Sequence, residues 1–161
     1  MAYRIEGLSH RSFSHLFGLG VDDLARDGVV RVIATSDRGF PCRVSLVDAR
    51  KGESLILLNH ISHDVGTPYR NAYAIFVREG AEQAAAHVDC VPPVFEGRPL
   101  GLRGFDSDGM LKDARLALPG EADARIRELL ADPLIESIYA HNAAHGCFVA
   151  RIERDDQGDA E

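Results

Sequence analysis

Residues 141–147 read HNAAHGC, which places two histidines, an asparagine and a thiol in one short stretch. Cys147 can act as a nucleophile or a redox-active thiol, because the thiolate is the attacking form and a nearby cation stabilises it. His141 can take the thiol proton. Asn142 beside it would complete a Cys-His-Asn set of the kind that carries acyl transfer. A second group of side chains could recognise charge. Arg43, Arg70, Arg78, Arg103 and Arg151 each lie in or beside a stretch with strand character, and a guanidinium fork binds carboxylate or phosphate through two parallel bonds. From these, Arg43, Arg70 and Arg151 are the candidate ligand-binding residues, joined by Tyr69 of the loop TPYR (67–70) and by Asn142 as hydrogen-bonding groups. The opposing reading is that each arginine only pairs with one of the 25 acids, for example Glu79, Asp106 or Asp108.

Metal chemistry has less support. His60 and His63 are three apart and His141 and His145 four apart, spacings that suit zinc on a helix, but here they fall at strand ends and in loops. There is no H-E-x-x-H and no C-x-x-C. No glycine-rich phosphate loop or GxSxG elbow follows a strand either. No metal and no cofactor is therefore expected.

The elements that must position these groups are legible from periodicity. VVRVIAT (29–35), FPCRVSLV (40–47), SLILLNH (54–60) and AYAIFVRE (72–79) are rich in β-branched and aromatic residues and bounded by Gly, Pro and Asp, as strands are. GLRGFD (101–106) and MLKDARLAL (110–118) flank Asp108-Gly109, a hairpin signal. EADARIRELLAD (121–132) is the best helix: acids lead it, Ile126, Leu129 and Leu130 share a face, and Pro133 follows. Short helices are expected after Ser9 and after Asp22, a helical turn at AEQAAAH (81–87), a loop over 88–99, and two last strands at 134–141 and 147–153.

Strand alternation then sorts the thiols, because residues two apart share a face. In CFVARIE, Phe148, Ala150 and Ile152 form the apolar set, so Cys147 shares its side with Val149 and Arg151. Cys42 aligns with Val44 and Leu46 and belongs to the core, where a free cysteine packs as a small hydrophobe, with Arg43 on the other face. A paired-thiol chemistry would require Cys42 to reach disulfide range of Cys147. Cys90 lies in the loop. With so few residues between His141 and Cys147, a hairpin would bring both to its mouth.

Totals bound the rest. A chain of 161 residues with 45% apolar and 27% charged residues fits one globular domain. Its net charge of −7 repels polyphosphate, so nucleic acid is excluded as a first partner. The start MAYRIEGLSH lacks a signal-peptide pattern, LILL (55–58) is too short to cross a bilayer, and three cysteines make no disulfide framework. These features point to a cytoplasmic protein without a membrane partner. Most strands follow one another without room for crossover helices, so the sheet should be antiparallel. The expectation is a single α+β domain over 1–154: a mainly antiparallel sheet, short N-terminal helices, one helix packed on the sheet from the C-terminal half, and a frayed acidic tail over 155–161.

The strings FPCRVSLVDARKGESLILLNH, TPYR, IFVREG, FDSDGM and IYAHNAAHGCFVARIER, in that order, closely resemble the bacterial family catalogued as domain of unknown function 1203, from about residue 3 to residue 154. The resemblance implies a compact, single-domain, cytoplasmic protein and assigns no activity. Cys42, Arg43, Asn59, His63, Thr67, Pro68, Tyr69, Arg70, Arg78, Glu79, Asp106, Gly109, His141, Asn142, Gly146 and Cys147 match its pattern, whereas His60 and His145 do not. Together the residues point to a protein that binds or converts a small anionic molecule at a polar Arg/His/Cys site, with a Cys147–His141 activity in the enzymatic version. The alternative is a non-enzymatic interaction or structural module whose polar residues satisfy one another. Oligomeric state is not set by the sequence.

Overall fold

Two antiparallel sheets carry the chain, as the sequential strands require. The computed structural model describes residues 1–155; the remainder of the acidic tail, 156–161, lies outside the described residues. The elements are β1 (Tyr3–Glu6), 3-10 turns at His10–Ser12 and Ser14–Leu16, α1 (Val21–Arg26), β2 (Val30–Ile33), β3 (Ser54–His63), β4 (Asn71–Arg78), β5 (Ala86–Val88), a 3-10 turn at Pro93–Phe95, β6 (Leu100–Phe105), β7 (Leu111–Ala117), α2 (Ala122–Leu130), β8 (Ser137–Asn142) and β9 (Phe148–Arg154). The six-stranded sheet runs β5-β1-β9-β8-β6-β7 and the three-stranded sheet β2-β3-β4. The fold is α+β.

Each face of the large sheet is covered. Leu100 and Leu102 of β6, Ile138 and Ala140 of β8, and Ala150 and Ile152 of β9 pack with Ile126, Leu129 and Leu130 of α2 in one buried cluster. Phe105, Tyr139 and Phe148 pack instead with Ile56 of β3 and with Ile75 and Val77 of β4 in a second cluster. The site lies along this second face, where polar side chains interrupt the apolar seam between the sheets.

Several elements depart from expectation for identifiable reasons. FPCRVSLV is not a strand: single bridges pair Pro41 with Asp48 and Cys42 with Phe76, and the chain turns back with the Leu46 N–H donating to the Cys42 carbonyl at 3.0 Å. Leu46 adopts φ 53 there. Cys42, Val44 and Leu46 are enclosed as expected, but so is Arg43, expected on the other face, because the folded-back segment has no solvent side there. The helical turn expected at 81–87 does not form: the segment is irregular and ends in β5, which pairs with the unanticipated β1. The segment after Ser9 forms 3-10 turns rather than an α-helix, and α1 is capped by Gly20, ahead of Asp22. The β6–β7 hairpin turns through Gly109 at φ 78, a conformation that favours glycine.

A bulge changes the phase of the last strand. Ala140 pairs with Ala150, but His141 pairs with Phe148, so two residues of β9 oppose one of β8. Val149 therefore joins the α2-side cluster with Ala150 and Ile152, while Phe148 joins the inter-sheet cluster. The unbroken alternation of CFVARIE does not survive.

Candidate functional site

Cys147 sits at the end of the 142–147 turn, just before β9. The turn is closed by the Gly146 N–H donating to the Asn142 carbonyl at 2.7 Å and by the Asn142 N–H donating to the Cys147 carbonyl at 2.9 Å, with Gly146 at φ 77. The Cys147 sulfur accepts two side-chain donors: Arg43 Nη2 at 3.2 Å and Asn142 Nδ2 at 3.2 Å. It is partly exposed, in contrast to the enclosed Cys42 and the fully exposed Cys90.

Arg43 is 1% exposed, and its other donors go to neutral carbonyls: Nε to Phe148 at 2.8 Å and Nη1 to Pro41 at 2.6 Å. Among the described residues it has no carboxylate partner. Arg98 and Arg31 show the usual solution for half-buried arginines. Arg98 makes a two-bonded pair with Asp48 at 2.7 and 2.9 Å, and Arg31 pairs with Glu79. Burial is the main influence on the Arg43 guanidinium and lowers its pKa from the ordinary value, while the Cys147 sulfur acts in the opposite direction. A buried cation without an anion is costly. The sulfur of Cys147 is the group in direct contact that can take negative charge.

A cleft of about 190 Å³ opens beside this sulfur, lined by Pro41, Tyr73, Phe76, Asn142, His145 and Cys147 among others. A second cleft shares Gly39, Pro41, Asn142 and His145 with it and reaches Arg98. Neither has an acidic side chain in its wall.

His141 belongs elsewhere. Adjacent residues of a strand face opposite sides, so Asn142 turns toward Cys147 and His141 toward a cleft of about 310 Å³ containing His63, Tyr69, Arg70, Arg103, Phe105 and Tyr139. The His141 ring is buried, with Nδ1 2.9 Å from the Gly146 carbonyl. Burial pushes its pKa down to about 4, with Arg103, Arg43 and His63 acting in the same direction and the Gly146 bond opposing them. Nδ1 donates to that carbonyl, which leaves Nε2 of the neutral ring as an acceptor. No hydrogen bond joins His141 to Cys147; they are connected through Gly146.

The remaining sequence candidates divide the same way. Tyr69 and Arg70 line the His141 cleft, Arg70 with its Nε donating to Asp64 at 3.0 Å. Arg151 is exposed on β9, paired with Glu153 and 5.8 Å from the Tyr139 ring centre, and lines a cleft with Arg4 and Glu6 of β1 rather than the thiol cleft. Arg78 lies 3.8 Å from Glu53. No disulfide joins Cys42 to Cys147; Cys42 is free, and its sulfur accepts the Arg78 backbone N–H at 3.3 Å. Two arginines of the original five lack a carboxylate partner among the described residues, Arg43 and Arg103. Arg103, one of the five candidate arginines but not among those chosen for ligand binding, lines the His141 cleft with His63, a candidate only for metal, and with Tyr139, which no sequence signal marks; alternation in GLRGFD already places Arg103 with Phe105. His145, set aside as outside the family pattern, is the histidine in the thiol cleft. Among the described residues no three metal-ligating side chains converge, and no helix is long and apolar enough to cross a membrane.

Residues 39–154 of the chain match the model of a family described as protein of unknown function (DUF1203). No curated protein and no solved structure matches the chain.

Proposed function

This chain belongs to the DUF1203 family, and we propose that it binds or converts a small anionic molecule, with Cys147 as the reacting nucleophile. The observation that carries this reading is the contact of a buried, carboxylate-free Arg43 guanidinium with a partly exposed sulfur, at 3.2 Å. Reactive cysteines occupy electropositive, solvent-reachable surroundings of this kind, whereas structural ones are enclosed and inert. Arg43 and Asn142 hold the sulfur as an acceptor from two sides. In a covalent step the sulfur pair would form the new bond to an electrophilic carbon and the leaving group would depart with its bonding pair. The S–H proton would pass to a base, for which His145 shares the cleft. The absence of acidic residues from the walls, in a chain of net charge −7, suits an anionic partner. A working thiol implies a reducing compartment, consistent with a cytoplasmic setting.

The test compares iodoacetate with uncharged iodoacetamide, scoring each cysteine by peptide mass spectrometry. Preferential carboxymethylation of Cys147, with an iodoacetate-to-iodoacetamide rate ratio above that of Cys90, supports the reading. A Cys147 no faster than Cys90 with both reagents refutes it. The outcome would then favour the structural alternative, in which Arg43 serves only to tie the 41–43 segment to β9.

A further inference from the structure

We infer that the cleft between the Tyr69–Arg70 turn and the paired strands β6 and β8 is a separate binding site for a small carboxylate that also carries a flat apolar body and a hydroxyl donor. The site does not depend on the thiol reading, because its polar groups lie on the opposite side of β8 from Cys147. The β6–β8 register places Gly101 opposite His141 and Arg103 opposite Tyr139, so Arg103, Tyr139 and His141 share one face of the sheet. Gly101 contributes no side chain beside His141, and a Cβ there would meet nothing.

Three features define what this cleft can hold. The first is charge. Arg103 has no carboxylate partner among the described residues. Arg70 contributes a second guanidinium, held only through an exposed bond to Asp64 that is worth little. No acid lines the cleft. A carboxylate here meets the fork of Arg103 without displacing an internal partner, and that of Arg70 against only its exposed bond to Asp64.

The second is shape. Phe105 and Tyr139 stand perpendicular with centres 5.5 Å apart, His63 lies against Phe105 at 4.1 Å, and Tyr69 completes the wall at 6.1 Å from Phe105. Such walls select a flat body, and about 310 Å³ is room for a single-ring molecule. The third is an acceptor among the lining groups: with Nδ1 committed to Gly146, the Nε2 lone pair of His141 accepts a hydrogen bond and repels a second carboxylate.

The probe is 4-hydroxybenzoate, titrated into the full chain while imidazole and backbone amide NMR signals are recorded, with uncharged 4-hydroxybenzamide as the comparison. Saturable shifts are expected at His141, His63 and Tyr69, with the amide binding roughly tenfold or more weakly, since charge-assisted bonds to the carboxylate are lost. Arg103→Gln should weaken 4-hydroxybenzoate by a similar factor while leaving the thermal melt unchanged, because Arg103 holds no other group. Arg70→Gln provides a second, surface variant with the same expected direction. Cys147→Ser should leave this affinity as it is, so failure of the thiol reading and failure of this one are distinguishable. Equal affinity for the acid and the amide, no loss in either arginine variant, or no saturable binding overturns the inference.

Discussion

Glu79→Gln should destabilise the protein by roughly 3 kcal/mol at neutral pH, and the loss should disappear in acid. Glu79 follows β4 and gathers three parts of the chain. Its carboxylate accepts Arg31 Nε at 2.5 Å and Nη2 at 3.1 Å from β2, the Ser54 hydroxyl at 2.6 Å from β3, and the Gly18 backbone N–H at 2.8 Å from the N-terminal segment. Its side chain is only 13% exposed. The Arg31 bonds, with smaller help from Gly18 and Ser54, pull its pKa from 4.5 down to about 2, against the opposing effect of burial. A displacement of that size corresponds to roughly 3 kcal/mol of preference for the charged form in the folded state. The sign follows from proton binding. Between about 2 and 4.5 the unfolded chain holds the proton and the folded chain does not, so the contribution is complete above the unfolded value and is lost as pH falls through the folded one. The assay is urea unfolding of wild type and Glu79→Gln from pH 7 downward. Other carboxylates, among them Asp106, Asp113 and Asp123, are also held below their ordinary range. The difference between the two proteins, rather than either curve alone, isolates Glu79. A gap that stays constant with pH, or no gap at neutral pH, would refute the reasoning.

Other consequences are equally concrete. Arg43→Met removes the donors to the Pro41 and Phe148 carbonyls and should cost roughly 2–6 kcal/mol in urea unfolding, at about 1–3 for each unsatisfied buried acceptor. Gly146→Ala forces a Cβ into φ 77 and should cost about 1–2 kcal/mol by thermal melting. The imidazole NMR signals of His141 should stay those of a neutral ring down to about pH 5; a midpoint near the ordinary value would contradict the burial argument. Because its folded pKa is lowered, His141 subtracts stability as pH falls from 6.5 toward about 4, when the unfolded chain takes up the proton first. Cys42, at 0% exposure, should react with alkylating reagents only as fast as the protein unfolds, as pulse alkylation in rising urea would show.

Much of the fold was legible because its determinants are local. The turn residues Asp108-Gly109 and the spacing of Ile126, Leu129 and Leu130 fixed the β6–β7 hairpin and α2. The antiparallel arrangement followed from the lack of crossover helices. What escaped was set by tertiary contacts. β1 and β5 are short strands at one side of the large sheet that exist through pairing, β5 at the edge with β1 and β1 between β5 and β9. The 40–47 segment has a strand's alternation but is folded back on itself, its apolar side chains divided among three clusters. The site was legible in its residue types and not in their grouping. One bulged position in β9 removed the shared face of Cys147 and Arg151, and one step along β8 separated His141 from Asn142. The partnership of Arg43 with Cys147 spans 104 residues, and neither periodicity nor spacing reports a contact of that kind.

The most direct test of the central claim is the native-state alkylation rate of Cys147 with iodoacetamide near neutral pH, in wild type, Asn142→Leu and Arg43→Lys, with Cys90 as the internal reference. The account predicts that Cys147 reacts faster than the more exposed Cys90 in wild type, slows in Asn142→Leu as one donor is lost, and slows further in Arg43→Lys as the fork that reaches the sulfur is replaced. A Cys147 slower than Cys90, or one indifferent to both substitutions in proteins that remain folded by circular dichroism, would contradict it.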